Sequence, residues 1–364
     1  MVLLGLGRSH RTNTDAELIR WGADYLRIEG VMGAAGPGGP SGLVVAPEAT
    51  PVFAPGDAAM EPGRGDAPEG VALDVSLQAG GGRKRIQING VPRRPAALAD
   101  HLRTVLFAPE EMLLIVGPPS LRRAALDGLT APHDRSYAAN LSTYGRALQQ
   151  RNSLLRSIRE GEADRAQLRY WDEPFLTAGG AILDARLRVL ELLAAPLAAA
   201  HREIAPAEER LTVGYQTNAP MRPGESPRDA LARRLAETAE KEVWNGSTLV
   251  GPHRDDIAFE LAGRDLATFA SRGQQRTAIL AFKLAELDLL TSLDGRPPLL
   301  LLDDVFSELD PARRGHLVRR IAELPQALVT ATDPDDIDLD LRRRAHPWRV
   351  VPGEDGATVQ EGEP

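Results

Sequence analysis

The sequence predicts an α/β fold: short strands around one buried parallel strand, with a long helical segment inserted between two strand-bearing parts. Three observations carry this. Leu299 to Leu302 is an apolar run without alternation, too short for a membrane span and suited to a strand covered on both faces. Tyr25 to Val31, Val71 to Leu77 and Arg83 to Ile88 read as strands, and the last leads into Asn89-Gly90, a two-residue hairpin turn signal. From Ser120 to Ala205 helical spacing dominates instead.

Composition sets the bounds. The 364 residues suffice for a sizeable core and two domains. A content of 43% hydrophobic and 26% charged residues is globular. A net charge of -8 argues against a uniformly basic nucleic-acid binder, so any such contact must come from local patches. There is no cysteine, which excludes disulfides, thiolate metal sites and Cys nucleophiles and fits a reducing cytoplasm. No apolar run of transmembrane length and no signal peptide is found, so no membrane partner is expected.

Taken in order, Met1 to Leu6 runs straight into Gly7-Arg8-Ser9-His10-Arg11-Thr12 without a preceding strand or capping signal. Gly33 to Gly70 is more than half Gly, Pro and Ala and is expected to be a disordered insertion in a hairpin loop. Arg83-Lys84-Arg85 and Arg93-Arg94 either meet phosphate or form a solvated strand face. Ala96 to Leu106 reads as a helix, and Pro109-Glu110-Glu111 as a helix first turn.

Leu141, Tyr144, Leu148, Arg151, Leu155 and Ile158 form one stripe at spacings of three and four, and Leu183, Leu187, Leu190, Ala194 and Leu197 another. With Trp171-Asp172-Glu173-Pro174 between them, they predict an antiparallel helical hairpin. Arg151 on that seam either contacts a partner or snorkels from a packed helix. Leu211 to Tyr215 resumes strand character and Pro227 to Val243 is an amphipathic helix. In Gly251-Pro252-His253-Arg254-Asp255-Asp256, the histidine and acids make either a metal cluster or a turn with a charged rim. Strands follow at Ile257 to Leu261 and Gln326 to Thr330. Ala331-Thr332-Asp333 then fits a γ-phosphate sensor or a plain strand stop, and the tail from Gly353 should fray. The expected domains are 1–108, a helical arm at 109–207, and 208–364 returning to the first.

The chemistry concentrates near the C-terminus. Asp303 and Asp304 end the leucine strand at the carboxyl edge of the sheet, where ligands bind in open α/β folds. Such a carboxylate pair is the Walker B arrangement, in which one Asp holds Mg²⁺ on the phosphates and its neighbour polarises the attacking water. The bland alternative is a core strand that ends in polar residues. Upstream, Ser271-Arg272-Gly273-Gln274 opens the apolar-periodic run Thr277 to Leu290 and looks like an ABC signature motif. Ser271 is a good N-cap, and Gly273 leaves backbone N–H groups open to an anion. A plain capped helix explains both residues as well.

No Gly-x-x-x-x-Gly-Lys-Ser/Thr occurs. That motif supplies the amide cradle and lysine for the β and γ phosphates. Losing three or four charge-assisted hydrogen bonds removes on the order of 5 kcal/mol, or about three decades of affinity. ATP should bind this chain poorly.

Gly7 to Thr12, Pro109-Glu110, Arg122-Arg123, Leu126-Asp127, Leu148 to Leu155, Gly251 to Asp256, Ser271 to Gln274 and Leu302 to Asp310 together resemble the RecF family of bacterial DNA replication and repair proteins, ABC-type ATPases related to SMC and Rad50. The resemblance covers nearly the whole chain. It implies an ATPase head with a mixed sheet flanked by helices, an inserted helical arm and ATP-driven homodimerisation. It also implies binding of single-stranded or gapped DNA, cooperation with RecO and RecR in loading recombinase, and a role in the SOS response. Carried over, Asp303 is the Mg²⁺ ligand and Asp304 the water-polarising residue; Ser271, Gly273 and Gln274 are γ-phosphate contacts made to the other subunit's ATP, and Asp310 lies at the dimer seam. Arg122 with Arg123, and Arg8 with Arg11, are DNA-contact candidates.

The family's opening strands and P-loop have no counterpart here, so the expectation is a start codon set too late in a full-length gene, with a genuine fragment as its rival. The coding DNA upstream of Met1 distinguishes the two. A non-hydrolysing DNA-binding or scaffold subunit, active only beside a P-loop-bearing partner, is the alternative function. A transporter ATPase fits less well, because Ser271-Arg272-Gly273 lacks the second glycine of that signature.

Overall fold

The computed structural model describes residues 2–7, 9, 12, 14–33, 43–44, 70–80, 84–132, 134–353 and 356–362. Most of the expected insertion at 33–70, together with Arg8, Arg11 and Arg83, lies outside the described residues. The chain forms two compact units, one of Met1–Pro109 with Leu290–Pro364 and one of Glu110–Leu289.

The first unit opens with α1 (Val2–Leu6), then β1 (Tyr25–Gly33), β2 (Leu43–Val44), β3 (Gly70–Gln78), β4 (Arg85–Ile88), β5 (Val91–Pro92) and β6 (Thr104–Phe107). The first five strands make an antiparallel sheet in the order β2-β1-β3-β4-β5. Asn89 at φ 51° and Gly90 at φ 74° close the predicted hairpin, the left-handed pair that matches strand twist. Alternation along β3 buries Leu73, Val75 and Leu77 and leaves Asp74 and Ser76 on the other face. The buried leucines Leu3 and Leu4 of α1 join Leu73, Val75, Ile86 and Leu301 in one core.

The helix expected at Ala96 to Leu106 is not formed. A single 3₁₀ turn spans Pro95–Leu98, and Thr104–Phe107 is strand β6. The apolar pattern there is too short to separate helix from strand, and pairing with a neighbour 195 residues away decides it, Leu299 lying opposite Thr104.

The second unit begins with α2 (Leu113–Val116), α3 (Pro119–Thr130), α4 (Arg135–Arg159) and α5 (Arg169–Ile204). It continues through β7 (Leu211–Gln216), α6 (Pro227–Asn245), β8 (Asp256–Leu261), β9 (Arg264–Asp265), α7 (Leu266–Phe269) and most of α8 (Arg272–Asp294). The helices α4 and α5 pair as the hairpin that the stripes predict, burying Tyr144, Leu155, Ile182, Leu183 and Leu197. The turn comes earlier than Trp171–Pro174, at Gly161 with φ 82°, and Pro174 is accommodated near the start of α5. Strands β7, β8 and β9 form an antiparallel sheet within this unit, so the cut between compact units and the cut expected at 207/208 fall in different places.

The chain re-enters the first unit through β10 (Leu299–Asp303), α9 (Pro311–Ala322), β11 (Ala327–Thr330), α10 (Leu339–Arg344), β12 (Trp348–Gly353) and β13 (Gly356–Glu361). The strand β10 is parallel to both neighbours in the order β11-β10-β6. All four leucines are buried, each contributing about 1.5–3 kcal/mol of transfer free energy. The tail is not frayed at Gly353, where β12 and β13 pair from Trp348↔Glu361 to Gly353↔Gly356, a cross-strand ladder that composition does not reveal.

Candidate functional site

Strand β10 delivers Asp303 opposite Thr330 of β11. The Thr330 hydroxyl donates to Asp303 Oδ1 at 2.6 Å and fixes that carboxylate. The backbone then turns through Asp304 at φ 50°, a left-handed conformation that short polar side chains tolerate best. Its N–H donates to the Thr330 carbonyl and hydroxyl oxygens, both at 3.2 Å. Asp304 Oδ1 is buried and accepts no hydrogen bond from any described residue, an arrangement that costs about 1–3 kcal/mol unless something else fills it.

That orphaned oxygen beside an oriented carboxylate suits a hard cation. Mg²⁺ takes one or two protein carboxylates and completes its shell with water and phosphate oxygens. Among the described residues no group of three or more His, Asp or Glu side chains forms an all-protein cage. Thr330 is the residue that sequence reasoning missed. It sits at a strand end as the expected sensor does, but three residues before Asp333, which instead accepts from the Asp335 N–H at 2.9 Å.

Asp310 caps α9. Its Oδ1 accepts from the N–H groups of Ala312 and Arg313, both at 3.0 Å, and its other oxygen pairs with the Arg313 guanidinium. The Arg313 N–H and guanidinium hold its carboxyl below the usual range. A 42% exposed side chain leaves Asp310 accessible as well as structural.

The second unit carries the other predicted residues. Ser271 Oγ accepts from the Gln274 N–H at 3.3 Å, and the Ser271 N–H donates to Gln274 Oε1 at 3.0 Å. This is a capping box, with two orphan helix donors satisfied reciprocally. Gly273 is different. A Cβ there would meet only Ser271 Oγ at 3.9 Å, so no packing requires glycine, although glycine in a helix costs about 1 kcal/mol relative to alanine. The structure thus brings Asp303 and Asp304 together with Thr330 in one unit, and Ser271, Gly273 and Gln274 together in the other.

Gly251 to Asp256 is the centre of a polar knot rather than a metal cluster. His253 Nδ1 lies 2.6 Å from the Tyr144 hydroxyl, and burial lowers its pKa to about 4. Arg186 on α5 donates to the Pro252 carbonyl at 2.9 Å, to Asp127 Oδ1 at 2.8 Å and to the Tyr215 hydroxyl at 3.1 Å. Tyr215 donates to Asp255 Oδ2 at 3.0 Å, and burial raises the Asp255 pKa. Gly251 has φ 121°, and a Cβ there would lie 2.5 Å from the Tyr144 hydroxyl. The only sequence-level signal for Arg186 is an arginine three residues after Leu183 on the apolar face.

Three further arginines are held by partners within the chain. Arg122 grips Asp256 with two bonds of 2.7 and 2.8 Å and donates to the carbonyls of Leu114, Ile115 and Gly117, so it is not a free phosphate ligand. Burial alone would raise Asp256, but that fork outweighs it and lowers the pKa. Arg123 donates to the Asp255 carbonyl at 2.8 Å. Arg151 does not snorkel. It is 2% exposed, pairs with Asp172 and Glu242, both at 2.7 Å, and donates to Thr248 Oγ1 at 2.9 Å.

No protein-family model matches the sequence. Among curated proteins the chain is similar to DNA replication and repair protein RecF of Moorella thermoacetica, 36% identical over 350 residues, which are 96% of this chain and 84% of that one. The RecF proteins of Chloroflexus aurantiacus and Geobacillus thermodenitrificans are 38% and 36% identical, each over 96% of this chain and over 88% and 87% of their own lengths. Two solved structures are also similar, those of the recombination mediator protein RecF with ATPγS and with ATP in the RecFOR pathway. Both have a TM-score of 0.75, with identities of 29% and 28%; they cover 92% of this chain and 82% and 81% of their own. Among the described residues no helix is long and apolar enough to cross a membrane. The chain belongs to the RecF family of DNA replication and repair proteins.

Proposed function

We propose that the protein is an ATP-dependent DNA-binding protein of recombinational repair, acting at single-stranded or gapped DNA with RecO and RecR and pairing as a homodimer around ATP. The observation that carries the nucleotide reading is the carboxyl end of β10, where Thr330 orients Asp303 and Asp304 keeps one buried oxygen unused. Support for ATP as the nucleotide comes from the similar RecF structures, solved with ATP and with ATPγS.

In this reading Asp303 and a water-filled shell hold Mg²⁺, which when bound would neutralise phosphate charge. The Asp304 carboxylate, held in the strained turn at φ 50°, then orients and polarises the attacking water. Ser271 and Gln274 hold the first turn of α8 in one conformation, and Gly273 leaves its amides approachable by the γ-phosphate of a nucleotide on a second copy. Asp310 lies at the seam between copies. Residues 208–364 complete the ATPase head in function, and 109–207 form the arm.

Asp304→Asn is the direct test, because asparagine tolerates the left-handed turn while removing the base. Under conditions where the parent hydrolyses ATP, the variant should bind ATP, remain dimeric on gel filtration and lose hydrolysis by about 10²-fold or more. ATP turnover equal to the parent's would refute the role of Asp304.

A further inference from the structure

Two short neighbouring helices of the second unit leave large apolar side chains in water. Leu113 and Val116 of α2 are 46% and 54% exposed, and Phe269 of α7, which lies beside α2, is 70% exposed. All four residues of α2 are apolar, yet only Leu114 and Ile115 turn inward. A helix that is apolar on every side is ordinarily covered on every side.

The exposed ring is held in place. Leu266 anchors α7 at 1% exposure, and Asp265 caps it by accepting from the Thr268 N–H at 3.1 Å and the Thr268 hydroxyl at 2.6 Å. The Ala270 N–H donates to the Leu266 carbonyl at 3.3 Å, and the buried Gln275 side chain of α8 donates to that same carbonyl, also at 3.3 Å. Phe269 is therefore fixed in register with Ser271 and Gly273, which follow it closely in the chain.

Arg272 stands between those two residues. It is exposed, and among the described residues it has no hydrogen-bond or ion-pair partner, unlike Arg122, Arg151 and Arg186. The first turn of α8 contains no acid, so this cation sits uncompensated at the positive end of the helix dipole. Such a charge suits an anionic surface brought from outside. This chain carries one at the carboxyl end of β10, in Asp303 and Asp304 with Asp310 beyond them.

We propose that Leu113, Val116, Phe269 and Arg272 form the surface that meets a second copy of this chain. The inference rests on the homodimer reading above and names where the copies touch. Hydrogen bonds to a phosphate replace bonds to water, so a few of them do little against the freedom lost on association. Apolar side chains that leave water on closing supply the remaining driving force. Arg272 selects the occupant by charge, matching the acidic end of β10 on the second copy and the triphosphate held there.

Sedimentation velocity over a concentration series, with and without Mg·ATP, tests this on the intact chain. Phe269→Ser, and separately Leu113→Ser with Val116→Ser, should raise the dimer dissociation constant about tenfold or more while leaving the melting temperature unchanged. The second variant lies on a different helix and keeps the test decisive should Phe269→Ser disturb the start of α8. Arg272→Glu should weaken the dimer more at low salt than at high salt. Trp244→Ser, at an exposed position on α6, should change nothing. Dimerisation on ATP with parent-like constants for both apolar variants would overturn the proposed surface and leave the ATP-driven homodimer standing. A dimer that the apolar variants weaken but ATP does not affect would support the surface and refute ATP-driven pairing. A parent that stays monomeric throughout, or a loss in Trp244→Ser as large as in the apolar variants, would also overturn the proposal.

Discussion

Arg151→Met tests whether the arm is held by charge or by packing. Arg151 joins α4 to Asp172 on α5, to Glu242 on α6 and to Thr248 beyond it, and its guanidinium carbon lies 5.6 Å from the Phe175 ring centroid. Methionine retains most of the apolar stem, so the lost packing is small. What remains is Glu242, fully buried, whose Oε1 accepts from the Leu249 N–H at 2.8 Å. Breaking a buried pair on one side costs about 3–5 kcal/mol. Burial already raises the Glu242 pKa against the pull of Arg151, and without Arg151 it rises further.

A carboxyl whose folded pKa lies above its unfolded value stabilises the fold below the unfolded pKa, and that stability is lost as pH rises through the folded one. The Arg151→Met deficit should therefore be smaller at pH 5 than at pH 7.5. Urea denaturation followed by far-UV circular dichroism at both values measures it. The double variant Arg151→Met with Glu242→Gln should recover a large share of the loss, since an uncharged amide needs no counter-charge. A single-variant deficit under about 1 kcal/mol, or one equal at both pH values, would refute the argument from an uncompensated buried charge.

Other outcomes follow from the same knot. His253 has a folded pKa of about 4 against an unfolded value of about 6.5, so the unfolded chain binds the extra proton between these values and stability falls as pH drops through that window. The loss is at most about 3 kcal/mol by linkage, and His253→Gln should flatten that part of the stability profile in acid titrations monitored by circular dichroism. Gly251→Ala combines a φ of 121° with a Cβ 2.5 Å from the Tyr144 hydroxyl. It should cost about 3 kcal/mol or more in urea unfolding, from strain and overpacking together, and a change under about 1 kcal/mol would show that the loop relaxes freely.

The sequence by itself determined whatever depends on neighbours close in the chain. Four leucines without alternation specified a strand covered on both faces, Asn89-Gly90 specified the hairpin turn, and the stripes through Tyr144 and Leu183 specified paired helices. Asp303, Asp304 and Ser271 stood out because a strand end and a helix start are local features with local chemistry. Tertiary structure alone decided what those side chains touch. Thr330 orients Asp303 from a strand 27 residues later, β6 exists only by pairing with β10, and Arg122, Arg151 and Arg186 are consumed by partners 134, 97 and 66 residues away. The reason is physical. Apolar periodicity reports which face is buried, whereas the choice between a free arginine and a paired one depends on whether a distant carboxylate or carbonyl arrives within about 3 Å, and nothing local to the arginine encodes that.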